Sequence, residues 1–92
     1  MKIRNKIQSI LEAKNYYVEK IDVMELPEPP GNNKIGMIVA YYIKAQHKEN
    51  NNIINRFIFD AEYKDGRKSW IVGEYEVDSI GKAIEKLIWL SW

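Results

Sequence analysis

The stretch Ile53 to Glu76, IINRFIFDAEYKDGRKSWIVGEYE, decides the fold. Two β-rich runs flank Asp65-Gly66. Asp-Gly between apolar runs is a strong hairpin signal, because a type I′ turn needs positive φ at both central residues. A two-residue turn at Asp65-Gly66 predicts Lys64 opposite Arg67, Tyr63 opposite Lys68, Ala61 opposite Trp70, Phe59 opposite Val72 and Phe57 opposite Glu74. Side chains alternate along a strand, so that register gathers Phe57, Phe59, Ala61, Trp70 and Val72 on one apolar face. The other face carries Arg56, Ile58, Asp60, Glu62 and Lys64 opposite Ser69, Ile71, Gly73 and Tyr75. Ile58, Ile71 and Tyr75 make that second face too apolar for plain solvent.

Upstream, Ile35–Ala45 is the most apolar run and reads as a central strand. Ile35, Met37, Val39, Tyr41 and Ile43 are placed on one side, Gly36, Ile38, Ala40 and Tyr42 on the other. Tyr16–Leu26 is a less regular strand. Val18, Met24 and Leu26 point one way while Tyr17, Ile21 and Val23 point the other, which calls for a bulge or for cover on both sides. Between them, Pro27–Asn33 reads as a stiff connector. Gln46–Asn52 is a polar turn, and its His47 is the chain's single histidine.

The two ends read as helices. Ile3, Ile7, Ile10 and Leu11 form an amphipathic stripe over about 2–14, closed near Asn15 by a left-handed cap. Asp78 is the expected N-cap of a C-terminal helix, with Val77 as its hydrophobic staple. On that helix Ile80, Ala83, Ile84, Leu87, Ile88 and Leu90 share an arc. Trp89 falls on the polar side and Trp92 at the margin of the arc, so this end is a candidate contact surface.

These elements predict one α+β domain over 1–92. It has two layers in the order αββββα, a four-stranded antiparallel meander with both helices on one face. The expected core is Ile3, Ile7, Leu11, Met37, Val39, Tyr41, Phe57, Phe59, Trp70, Val72, Ile80, Ile84 and Leu87. The uncovered face would then hold Ile38, Tyr42, Ile58, Ile71 and Tyr75.

Composition narrows the function. The 92 residues carry 46% hydrophobic and 29% charged side chains, a net charge of +1 and no cysteine. That excludes a disulfide framework and a thiolate metal site, and it argues against a strongly acidic or basic partner. No run approaches the roughly 18 apolar residues of a spanning helix, and no apolar leader follows Met1, so no membrane role and a cytoplasmic location are expected. Abundant Ile, Asn, Lys and Tyr suit an AT-rich genome, and a small accessory or inhibitor protein of a mobile element fits. An exposed apolar patch on a small domain marks an interaction site. The leading expectation is therefore a non-enzymatic protein-interaction module with no cofactor. It would pair with itself as a homodimer, with another protein, or with both, through Ile38, Tyr42, Ile58, Ile71 and Tyr75 or through Trp89 and Trp92.

Two other classes compete. Asp60-Ala61-Glu62-Tyr63-Lys64 resembles the Glu-x-Lys element of the PD-(D/E)xK nucleases. The resemblance implies that Asp60 and Glu62 hold Mg²⁺ while Lys64 steadies the attacked phosphate, with Glu12 as the helical acid. The pattern departs from that family in two ways. The strand 35–45 contains no acid, and the chain turns at Asp65-Gly66 where the family continues into a helix. The third class is single-stranded nucleic-acid binding, with bases stacked on Tyr42 and Tyr75 beside Arg56. The near-neutral charge opposes it.

Overall fold

The computed structural model describes residues 2–26 and 35–92. In chain order these form α1 (Lys2–Ala13), β1 (Tyr16–Leu26), β2 (Ile35–His47), β3 (Ile53–Tyr63), β4 (Lys68–Val72), β5 (Tyr75–Val77) and α2 (Ile80–Leu90). The strands make one antiparallel sheet in the order β1-β2-β3-β4-β5. The α+β class and the helix–sheet–helix order are as the sequence predicts. The expected connector Pro27–Asn33 lies outside the described residues.

The fifth strand arises at Gly73. The alternation expected from sequence carries one strand through to Tyr75, but Gly73 has φ +60° and the chain turns there. Val72 then pairs with Tyr75 across Gly73-Glu74. Positive φ at the first central residue alone is the signature of a type II′ hairpin turn, which glycine adopts without strain.

The turn at Asp65-Gly66 departs from the expected geometry, and the whole register moves with it. The Tyr63 N–H donates to the Arg67 carbonyl, and the Gly66 N–H returns to Tyr63. The loop therefore has three residues, with Gly66 alone at positive φ, +93°. This is a type I turn closed by a left-handed glycine, the next most common hairpin after the two-residue form. Asp65 reinforces it by accepting from the Arg67 backbone N–H at 3.1 Å. One extra loop residue shifts β4 by one position: Phe59 faces Ile71, Asp60 faces Trp70, Ala61 faces Ser69 and Glu62 faces Lys68.

Because the side-chain period is two, that slip exchanges the faces of β4 relative to β3. Trp70 and Val72 join Ile58, not Phe57 and Phe59. Ile58 is fully buried under the helices with Tyr41, Trp70 and Val72. Phe57 and Phe59 look the other way, so their expected place in the helix-side core is corrected. Met37 also leaves that core and is exposed. A bulge between Ile35 and Met37 places Ile35 opposite Tyr63 on the helix-free side.

A second bulge, between Val18 and Lys20, resolves the irregular pattern of β1. It lets Val18, Ile21 and Val23 all face the helices while Met24 and Leu26 face away. Both helices cover the same face. Ile7 and Leu11 of α1 and Ile80, Ala83, Ile84 and Leu87 of α2 meet the strands in one buried cluster with Ile21, Ile43, Ala45 and Ile54. Asn15 closes α1 at φ 69°, as its left-handed tolerance predicts. The N-cap of α2 is Ser79 rather than Asp78. Its hydroxyl accepts from the Lys82 N–H at 3.2 Å, while Asp78 pairs with the Lys82 ammonium at 3.0 Å. Serine supplies the same cap with a shorter side chain.

Candidate functional site: the open face of the sheet

Among the described residues no helix covers the second face of the sheet, which is built by β1, β2 and β3 with a margin from β4. The registers align Met24 with Ala40 and Phe59, Leu26 with Ile38 and Ala61, and Asp22 with Tyr42 and Phe57. Ile71 flanks Phe59. Tyr42 and Phe57 have ring centroids 5.1 Å apart, and Phe57 stacks on Phe59 at 6.1 Å with 15° between planes. Such offset pairs hold their geometry and present one continuous aromatic surface. Ala40 is the small residue among these large ones. Over it opens a pocket of about 210 Å³ walled by Asp22, Met24, Tyr42 and Phe57.

At the other end of the same face Ile35, Ile38 and Ala61 form a second buried cluster, with Leu26, Phe59, Tyr63 and Ile71 against it. The aromatic end is more open: Phe57 retains 45% of its accessible surface. The Tyr42 hydroxyl donates to the Asn55 side-chain oxygen. Two cations of this face are paired. Lys20 lies 3.2 Å from Asp22, and Lys44 lies 3.6 Å from Glu19. The Tyr63 hydroxyl donates to Glu76 at 2.5 Å. That bond, with burial as a lesser cause, raises the Tyr63 pKa; the same bond is the chief cause that lowers the pKa of Glu76, against the effect of burial.

Of the residues expected on the uncovered face, Ile38, Tyr42 and Ile71 are there. Ile58 is not: it is core. Tyr75 lies on the helix side with Trp89, their rings edge-on at 6.1 Å. The Lys86 ammonium sits 4.2 Å from the Tyr75 ring and 4.8 Å from the Trp89 ring. Trp89 is thereby shared with its own helix, and Trp92 is exposed beyond it. Met24, Phe57 and Phe59 belong to the open face and were not among the expected site residues. Resolving the bulge in β1 and the length of the Asp65-Gly66 loop is what finds them.

The nuclease-like triplet divides between strand and turn. Asp60 and Glu62 lie on the helix side of β3, and Lys64 lies in the turn. Asp60 is half-buried beside Trp70 and Tyr41. Burial raises its pKa, Lys68 opposes the shift and Glu62 adds to it. Burial, with Asp60 second, raises the Tyr41 hydroxyl. Glu12 lies in the last turns of α1, next to the Asn15 turn that contacts Lys48. That is the opposite end of the sheet from Glu62, some nine residues of β3 away, or about 30 Å. Among the described residues no three His, Cys, Asp or Glu side chains converge as metal ligands. Arg56 is on the helix side, opposite Ile43, so it does not border the Tyr42 ring as the nucleic-acid reading required. Tyr75 is across the sheet from Tyr42.

No helix among the described residues is long and apolar enough to cross a membrane. Compared with known proteins, the chain matches no family model, no curated protein and no solved structure.

Proposed function

We propose that the chain is a non-enzymatic interaction module and that its open sheet face binds another protein. One observation carries the reading: the row Tyr42, Phe57 and Phe59 stands on a helix-free face beside the pocket over Ala40. Aromatic side chains around a small depression are the usual anchors and sockets of protein interfaces. The size is adequate. Four strand spacings of about 4.8 Å by ten steps of about 3.3 Å give a face on the order of 600 Å². One side of a standard interface is about 800 Å². The ion pairs at Lys20 and Lys44 lower the face's net positive charge, which favours a protein over a polyanion.

The test places a photo-reactive benzophenone amino acid at Met24 and irradiates the native cells. The expected product is a discrete protein adduct that disappears when Tyr42→Lys and Ile71→Lys are introduced into the still-folded domain. An adduct to nucleic acid, or a protein adduct indifferent to the double substitution, would sink the reading.

A further inference from the structure

Among the described residues, three stretches of strand edge differ in character. β1 is a long outer edge, but the bulge at Val18–Lys20 breaks its line, and exposed Glu19, Lys20, Asp22 and Glu25 stud it. Bulges and charges are how edge strands avoid pairing with other chains. β5 offers only three residues. The third edge is internal to the chain order. β4 pairs with β3 only from Phe59 to Glu62, and it leaves the sheet line at Gly73. Among the described residues, no strand pairs with Ile53–Phe57 on the side away from β2.

The bonding phase of that edge follows from two hydrogen bonds. The His47 N–H donates 2.8 Å to the Asn52 carbonyl, which fixes His47 and Asn52 as a bonded pair. Bonded and non-bonded pairs alternate in an antiparallel ladder. Ile54, Arg56 and Ile58 therefore aim their N–H and C=O groups at β2, while Ile53, Asn55 and Phe57 aim theirs outward. The Tyr63 N–H bond to Arg67, on the β4 side, has the same odd-numbered phase. The outward-aimed residues are also exposed. Ile53 retains 56% of its surface and Phe57 45%, and both lie on the open face with Asn55 between them.

We infer that this edge pairs with the same edge of a second copy of the chain, antiparallel and centred on Asn55. The segment is complementary to itself in that register. Asn55 meets Asn55 across the two-fold axis, and each Ile53 meets the other copy's Phe57, so every outward N–H and C=O of the three positions gains a partner. The two exposed apolar side chains cover one another on the open face, in the geometry of a cross-strand aromatic–aliphatic pair. Charge does not oppose the pairing, because Arg56 is the segment's sole ionic side chain and points to the other face. The product is one continuous sheet through both copies. It extends the open face across the two-fold axis and leaves Met24 and Tyr42 accessible. The inference does not depend on the open-face reading of function.

Asn55→Pro tests it; beside the edge bonds it removes only the exposed bond from the Tyr42 hydroxyl to the Asn55 side chain. The lost N–H points outward and serves no bond within the chain, so an edge position tolerates proline. Sedimentation equilibrium over a concentration series is expected to show a dimer for the natural chain. Its dissociation constant should rise about 100-fold in Asn55→Pro, the effect of losing two reciprocal hydrogen bonds. The circular dichroism spectrum should be unchanged. A natural chain that stays monomeric overturns the inference, as does a dimer that folded Asn55→Pro leaves intact. If Asn55→Pro does not fold, Asn55→Cys with a short bis-maleimide decides. Cross-linked dimer from that variant, and none from Tyr17→Cys on the β1 edge, is the expected result; equal yields or no product refute it. A natural chain that dimerises yet gives no protein adduct at Met24 would fail the open-face reading alone.

Discussion

Replacing Ile58 and Phe57 by alanine, one at a time, tests the assignment of the two sheet faces. The residues are adjacent and similar in bulk, yet the structure gives them opposite fates. Ile58 has no accessible surface and packs under the helices with Tyr41 and Val72. Ile→Ala deletes three carbons, worth about 2.4 kcal/mol of transfer free energy at about 0.8 kcal/mol each. The rigid neighbours leave part of the vacated space as a cavity, which brings the expected loss to about 3–4 kcal/mol, within the range for buried aliphatic truncations. For a chain of this size that lowers the melting temperature by roughly 15–25 °C. Phe57→Ala removes more atoms, but nearly half of its surface already meets water and no helix covers it. Its loss should stay below about 1.5 kcal/mol, made up of partial burial and the two ring contacts. Urea unfolding followed by circular dichroism, at a concentration where the natural chain is monomeric, measures both. A Phe57→Ala cost equal to or above that of Ile58→Ala would refute the register and with it the open face.

Two further outcomes follow from the same geometry. Asp60 has its carboxyl pKa raised, chiefly by burial. Below about pH 4 the group is protonated in folded and unfolded chains alike, so no penalty exists there; as pH rises through the raised folded value, ionising it beside Trp70 costs stability. Asp60→Asn should therefore melt higher than the natural chain at pH 7, with the gap closing towards pH 3; thermal melts across pH showing a constant or reversed gap would contradict this. Gly73→Ala meets no steric block, since the nearest atom to a new Cβ is Leu90 Cδ1 at 3.4 Å, but it must adopt φ +60°. It should lose about 1–2 kcal/mol from backbone strain alone, and a denaturation midpoint within error of the natural chain's would show that the turn is not the strained kind described.

The layer plan was legible because each helix carries an unambiguous stripe: Ile7 and Leu11 in one, Ile80, Ala83, Ile84 and Leu87 in the other. The strands were legible as strands but only partly as faces. A helix stripe is decided by many residues together, whereas the facing of β4 depends on one residue of loop length at Lys64–Gly66, and Asp-Gly suits both lengths. A two-residue turn sets Phe57 and Phe59 on the face of Trp70 and Val72, so that register assigned them to the core in place of Ile58. The bulge at Val18–Lys20 left a visible trace, a broken alternation, because the residues on both sides of it are clearly apolar. The one at Gly36 left none, since glycine has no side chain to betray a change of face. The site inherited these errors. Ile38 and Tyr42 were found because the alternation of β2 beyond Gly36 is unbroken, and Ile71 because it alternates with Trp70 and Val72; Phe57 and Phe59 were missed through the loop length and Met24 through the bulge in β1.

The three-residue loop at Lys64–Gly66 has a genetic consequence. The loop sets which side of β4 points inward, so loss or gain of a single codon there acts on every residue downstream at once. With one residue fewer, Trp70 and Val72 would turn out towards solvent and Ser69 and Ile71 would turn in beneath α2. Surface loops usually tolerate small insertions and deletions. Here single-codon length changes should be purged while substitutions at Lys64 accumulate, so the length of this loop is expected to be a steadier mark of descent than its composition.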